Sequence, residues 1–189
     1  MWIVPTICGA SSIGLVPLDT LRGYPELKYL PMTQVKKWTD LYEQRIYPTL
    51  PDKPVREQAI PNRRRLLKAF SHNGVGILFG TDSPPLLNVP GFSIHREIEL
   101  MAGAGMTPYD ILQSATKNVG EYFKATDKFG TIAVGNRADL ILLEKNPLKD
   151  VANIANPLGV MVGGRWLSQK DIREKLTAIS QQLSGKASN

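Results

Sequence analysis

The sequence predicts an α/β chain that runs into a small β-module and ends in a helix. Two short apolar runs, residues 2–7 and 74–83, are separated by helical patterns; near Lys128 the pattern changes to short β-type runs; and the tail carries apolar residues at helical spacing. The run Gly74-Val75-Gly76-Ile77-Leu78-Phe79-Gly80-Thr81-Asp82-Ser83 is long enough for one strand buried on both faces and too short for a helix. Asp82 then falls just past its C-terminal end, where parallel α/β folds converge their loops and present reactive groups. An Asp at such a place also caps turns, and Ser83-Pro84-Pro85 would stop any strand. Position therefore makes Asp82 a candidate for chemistry and no more.

Each element has its own signal. Residues 2–7, Trp-Ile-Val-Pro-Thr-Ile, read as a buried strand, with Pro5 tolerable where the ladder spares a donor. A chain that opens inside an apolar strand looks like the continuation of something larger. Residues 9–31 are rich in Gly, Pro and Ser and read as a long loop over the strand end, a length usually functional or disordered. Thr33 can cap a helix reaching about Tyr47, with Val35, Trp38, Leu41, Tyr42 and Ile46 on one face. Residues 48–61 are a proline-punctuated connection, and Asn62 can cap a helix through Phe70 that closes at Asn73-Gly74. A strand, helices and a second strand in this order imply two parallel neighbours. After Asp82, Ser93 caps a helix to about Ala104 with Ile94, Ile98 and Met101 inward and Glu97 near its N-terminus. Thr107-Pro108 opens the next helix, cap then proline, which runs to about Gly120. Residues 129–136 read as a short strand into a turn, 138–143 as a β-run, and the runs around Gly163-Gly164 as a hairpin on a two-glycine turn. Ile172, Leu176, Ile179 and Leu183 give the final helix its apolar spacing.

The totals exclude several classes. The chain has 189 residues and is 42% hydrophobic, which suits a globular core. Its first eighteen residues carry no charge, but they lack a basic leader and are broken by Pro5, Gly9, Gly14 and Pro17, so neither a signal peptide nor a membrane span is predicted. Cytoplasm is the default location. One cysteine rules out an internal disulfide framework. The net charge of +6 includes three consecutive arginines, Arg63 to Arg65, with no aromatic platform beside them, so a solvated helix face is expected rather than nucleic-acid binding.

Several segments together resemble the amidohydrolase superfamily, in particular its imidazolonepropionase-like and prolidase-like metal-dependent hydrolases. Pro5-Thr6-Ile7 is similar to the end of that family's barrel strand seven and Gly80-Thr81-Asp82-Ser83 to the end of strand eight. His95-Arg96-Glu97-Ile98-Glu99-Leu100, Ala104-Gly105-Met106-Thr107-Pro108 and Ala115-Thr116-Lys117-Asn118 resemble the helix pair that follows. Gly130-Thr131-Ile132, Gly135-Asn136-Arg137-Ala138-Asp139-Leu140, Asn146-Pro147-Leu148 and Val162-Gly163-Gly164-Arg165-Trp166 resemble the return into its β-sandwich. The fold class implied is α/β: a partial TIM barrel over residues 1–125, holding the last two β/α units, then sandwich strands over 126–168 and a C-terminal helix with a frayed tail over 169–189.

The resemblance also implies a chemistry. The family holds one or two divalent metals, most often zinc, in the barrel mouth, where the metal activates a water and polarises a carbonyl. The strand-eight Asp is metal ligand and proton shuttle, and by position Asp82 takes that role. The substrate implied is a small amide, lactam or dipeptide-like molecule, with His95, Arg22 and Tyr24 as candidates to bind it. The family's histidine ligands on strands one, five and six have no counterpart, because His72 and His95 are the only histidines. His72 lies before the strand, at the end away from the site, and is expected to finish a helix; Cys8 is expected to be an inert buried thiol. The missing N-terminal part or an oligomer is then expected to supply the metal ligands and to cover open sheet edges. The alternative is a non-catalytic remnant or interaction module of the same fold.

Overall fold

The computed structural model describes residues 1–13, 15–84, 87–124 and 128–186. It is a mixed α/β fold with two small sheets. Strand β1, Trp2–Ile3, pairs in parallel with β2, Gly76–Ile77, in the register Trp2 to Gly76 and Ile3 to Ile77, and the Leu78 N–H extends the ladder to the Ile3 carbonyl at 2.8 Å. Between them lie α1 (Ile7–Ser12), α2 (Leu18–Arg22), α3 (Met32–Leu41) and α4 (Lys53–His72). After β2 come α5 (Ser93–Gly103), α6 (Pro108–Ala115) and α7 (Lys117–Phe123). The second sheet is antiparallel in the order β3 (Leu140–Leu142), β4 (Gly159–Val162), β5 (Arg165–Ser168), and α8 (Gln169–Lys186) follows it.

Both apolar runs are shorter as strands than the sequence predicts: the second pairs only over Gly76–Ile77, so Asp82 lies farther along the chain from the strand end rather than directly past it. In the first, pairing stops at Ile3, Thr6 takes a left-handed conformation (φ 43°), and Ile7 and Cys8 begin α1. An apolar run does not by itself separate strand from buried helix; here a distant acceptor for the helix N–H groups decides. The expected long loop over 9–31 likewise contains the rest of α1, α2 and a 3-10 turn, Pro25–Tyr29. Thr33 is not a cap, since Pro31 holds that position without a side-chain bond. The helix does reach Tyr47, through a π-helical turn, Tyr42–Ile46.

Helix α4 starts well before Asn62 and carries Pro61 inside it. Pro54 in its first turn is pre-set for helix, and Ile60 and Leu67 pack into the core, which offsets the backbone bond that an interior proline removes. Asn73-Gly74 closes it as expected, with Gly74 at φ 68°. Ser93 is the first residue of α5 rather than its cap. Thr107 does cap α6, its Oγ1 accepting from the Asp110 N–H at 3.1 Å. Residues 129–136 form turns, not a strand, with Ile132 and Val134 fully outward; they gain no ladder partner. The hairpin is as predicted, Gly163 and Gly164 taking the positive φ values (54° and 81°) that its two-residue turn demands.

One core cluster joins Ile7 of α1, Leu67 of α4, Ile77 of β2, Ile98 and Met101 of α5, Ile111 of α6 and Val151. Helix α5 touches α1, α4, α6 and the 3-10 turn Val151–Ala155. A second cluster, Leu21, Leu27, Val35, Leu87 and Val89, seats α2 and α3 against the segment after Asp82. No helix among the described residues is long and apolar enough to cross a membrane. Leu67 is 2% exposed, whereas Ile141 of β3 is 57% exposed. Leu67→Ala is therefore expected to lower unfolding free energy by about 2–5 kcal/mol and Ile141→Ala by no more than about 0.5 kcal/mol, measured by denaturant titration; equal losses would mean the core is misplaced.

Candidate functional site

The ends of β1 and β2 meet α1 and the first turn of α5. Glu97, 0% exposed on α5, reaches the start of α1: its Oε1 accepts from the Ile7 N–H at 3.0 Å and its Oε2 from the Cys8 N–H at 2.7 Å. These are two of the donors that the start of any helix leaves unpaired, and an anion suits that end of the helix dipole. Burial pushes the Glu97 carboxyl above its ordinary range, while the two backbone bonds, the Cys8 thiol and Arg63 pull it back. Burial, with the Glu97 charge second, pushes the Cys8 thiol up to about 12. At neutral pH this favours the thiol over the more reactive thiolate.

The segment carrying Asp82 is fastened around its backbone. The Thr81 carbonyl accepts from Cys8 Sγ at 3.5 Å, and Thr81 Oγ1 accepts from the Ser83 N–H and from Ser93 Oγ, each at 3.3 Å. Ser83 Oγ donates to the Asn88 carbonyl at 2.7 Å, Asn88 Nδ2 to Ser12 Oγ at 2.9 Å, and Ser12 Oγ to the Cys8 carbonyl at 2.9 Å. Asp82 itself is exposed, left-handed at φ 52°, and has no ion-pair or hydrogen-bond partner among the described residues.

The other candidates have partners of their own. Tyr24 lies beneath the Arg96 guanidinium, with the ring centroid 3.9 Å from Cζ, and burial raises its hydroxyl pKa. Arg96 also pairs with the buried Glu26. His95, half-buried in the first turn of α5, is held below its ordinary pKa by burial, against the pull of Glu99 and Glu26. Tyr24 and His95 therefore share the Arg96–Glu26 neighbourhood, which Ser93 ties to Thr81. Arg22 is engaged elsewhere, 3.3 Å from Asp19 and 2.9 Å from Glu43. His72 is the exposed last residue of α4. Glu97, Arg96, Glu26 and Asn88 were not singled out as site residues in the sequence. Glu97 had a legible signal: it falls with Ile94, Ile98 and Met101 on the inward stripe of its helix.

Among the described residues no three His, Cys, Asp or Glu side chains come together as a metal site. The acid and thiol that do meet, Glu97 and Cys8, are spent on backbone donors and held protonated, respectively. A complete three-donor set does not fit this chain's residues alone.

The sequence pattern of the Amidohydrolase family matches residues 33–167, more than half of the chain. No curated protein matches it. Among solved structures the chain is similar to a bottromycin amidohydrolase (21% identity, TM-score 0.76, covering 96% of this chain and 40% of that one). It is also similar to a Xaa-Pro dipeptidase with bound methionine in its active site (23%, 0.60, 89% and 34%) and to a putative prolidase from Bifidobacterium longum (20%, 0.59, 97% and 39%). At these identities the likeness is one of fold. The chain spans about a third to two fifths of the length of those solved chains.

The raised Glu97 pKa has a signed consequence. Between about 4.3, the value for an unfolded glutamate, and the raised folded value, the folded chain binds more protons than the unfolded one. Its stability then falls as pH rises through that window. The difference in unfolding free energy between the wild type and Glu97→Gln is expected to change with pH there and to be flat well above it, measured by denaturant titration at stepped pH. Parallel curves would show that Glu97 titrates normally.

Proposed function

The chain belongs to the amidohydrolase family, and on that premise we propose that it forms the C-terminal portion of a metal-dependent hydrolase of carbon–nitrogen bonds in small amide, lactam or dipeptide-like substrates, with Asp82 as its catalytic carboxylate. One observation carries the assignment: Asp82 is an exposed carboxyl with no side-chain partner among the described residues, beyond the end of β2, on a backbone fastened by Thr81, Ser83 and Asn88. A carboxylate so placed takes a proton from the water that adds to the amide carbonyl and returns it to the nitrogen as the carbon–nitrogen bond breaks. The neighbours whose printed names specify an Xaa-Pro dipeptidase and a prolidase support a dipeptide-like amide.

We assign residues 1–125 to the last two units of a β/α barrel, 126–168 to sandwich strands and 169–189 to the terminal helix and tail. Family members generally bind divalent metals; here zinc is the proposed ion, with Asp82 as one ligand and histidines from outside this chain completing the set. His95 and Tyr24 are the proposed substrate contacts. Arg22 would join them only by releasing Glu43. The same outside segment, or another subunit, would cover the free edges of the two-stranded β1–β2 sheet.

Two measurements test this. In the complete assembly, Asp82→Asn is expected to cut kcat by about 10²–10⁴-fold with an unchanged melting temperature; retained turnover removes Asp82 from the mechanism, and an assembly inert as wild type favours the non-catalytic module. Purified alone, the 189-residue chain is expected to hold well under one zinc per molecule by elemental analysis, and one tight zinc per chain would overturn the proposed division of ligands.

A further inference from the structure

Glu97 and Asp82 are linked through a single helix. The Glu97 carboxylate holds the N–H groups of Ile7 and Cys8, the first two residues of α1. On the next residue the helix meets the segment that follows β2: a Cβ built on Gly9 would lie 3.1 Å from the Thr81 carbonyl oxygen and 3.6 Å from Asp82 Cβ. Cys8 adds its thiol bond to the same carbonyl, and Ser12, from the last turn of α1, receives Asn88 from beyond Asp82. Both junctions are strained. Thr6, directly before α1, and Asp82 are non-glycine residues with positive φ (43° and 52°), a conformation that is especially unfavourable for a β-branched residue and persists only where its surroundings over-determine it.

We propose that Glu97 is the positioning residue for Asp82: by clamping the start of α1 it presses Gly9 and Cys8 onto Thr81 and so fixes where the Asp82 carboxylate stands. The catalytic consequence rests on Asp82 having the role given above; the mechanical linkage does not. Removing the clamp lets the start of α1 shift, Thr6 relax and the Thr81–Asp82 backbone move, while the core residues on α4, α5 and α6 stay in place.

The test uses the full 189-residue chain, isotopically labelled, with two variants that act at opposite ends of the linkage. Glu97→Gln keeps the shape of the side chain but sets an amide group against one of the two N–H donors. Gly9→Ala leaves Glu97 alone and wedges α1 away from Thr81. Glu97→Gln is expected to speed amide exchange at Ile7 and Cys8 by about tenfold or more and to move the Thr81 and Asp82 backbone resonances and the Asp82 carboxyl resonance. Gly9→Ala is expected to move the same Thr81 and Asp82 signals without speeding exchange at Ile7 and Cys8. In the complete assembly both are expected to lower kcat by about tenfold to a hundredfold with KM kept within about twofold. Freed Ile7 and Cys8 with unmoved Asp82 resonances would reduce Glu97 to a local cap and overturn the proposal. Should Glu97→Gln fail to fold, Gly9→Ala decides alone: an unmoved Asp82 signal sinks the linkage. Moved resonances with full turnover in the assembly would also sink the positioning role. The catalytic reading of Asp82 fails by a different result, turnover retained in Asp82→Asn.

Discussion

A carboxylate taken out of water on α5 meets the bare start of a six-residue helix, and the rest of the rim depends on that meeting. Helices this short do not form in water unaided, because nucleation fixes several residues for each bond gained. A buried carboxylate is equally untenable without charge-assisted donors. Each defect is the remedy for the other. The opposing pulls on the Glu97 pKa describe the same bargain from the proton's side: burial favours the neutral acid, and the two N–H groups favour the anion.

The clamp explains how so little sheet can hold so much in place. Each strand of the parallel pair contributes two paired residues, too few to align strand ends by ladder bonds alone. Alignment comes instead from α5, whose apolar stripe packs on α1, α4 and β2 while its first turn sends Ser93 to Thr81. The β3–β5 sheet attaches differently. Val151 enters the shared core from a 3-10 turn, whereas Leu140, Ile141 and Leu142 stay largely open. An open apolar edge strand is a pairing hazard that proteins ordinarily cover, and it fits a chain that spans only part of its structural neighbours.

What the sequence revealed tracks how local each determinant is. Thr107-Pro108, Asn73-Gly74 and Gly163-Gly164 act through their own backbone geometry, and each stands where its residue types put it. Ile172, Leu176, Ile179 and Leu183 gave the last helix through spacing alone. Failures came where a distant partner decides. Ile7 and Cys8 have strand-like neighbours, yet they are helical because an acceptor ninety residues along the chain takes the Ile7 N–H. Pro61 reads as a breaker, yet α4 runs through it because Ile60 and Leu67 are wanted in the core. Residues 129–136 have strand composition and find no strand to pair with. Asp82 stands out in the sequence as an acid after a short apolar run, which is what makes it the proposed carboxylate. Glu97 was overlooked because an acid near a helix N-terminus has an ordinary surface explanation, and only its place on the inward stripe argues otherwise.

Two acids of similar chemistry thus have opposite fates on one rim, and their surroundings account for both. Both Glu97 oxygens accept from backbone N–H groups at the start of α1. Asp82 sits on a backbone that its neighbours hold, and among the described residues its carboxylate has no side-chain partner. Asp tolerates the left-handed region better than most residues, so a fixed, outward carboxylate can be held there at modest cost. Thr6 pays no such discount, being β-branched, and its strain endures because the very next N–H groups are clamped by Glu97. The buried acid holds backbone, and the exposed one rides on backbone that its neighbours hold.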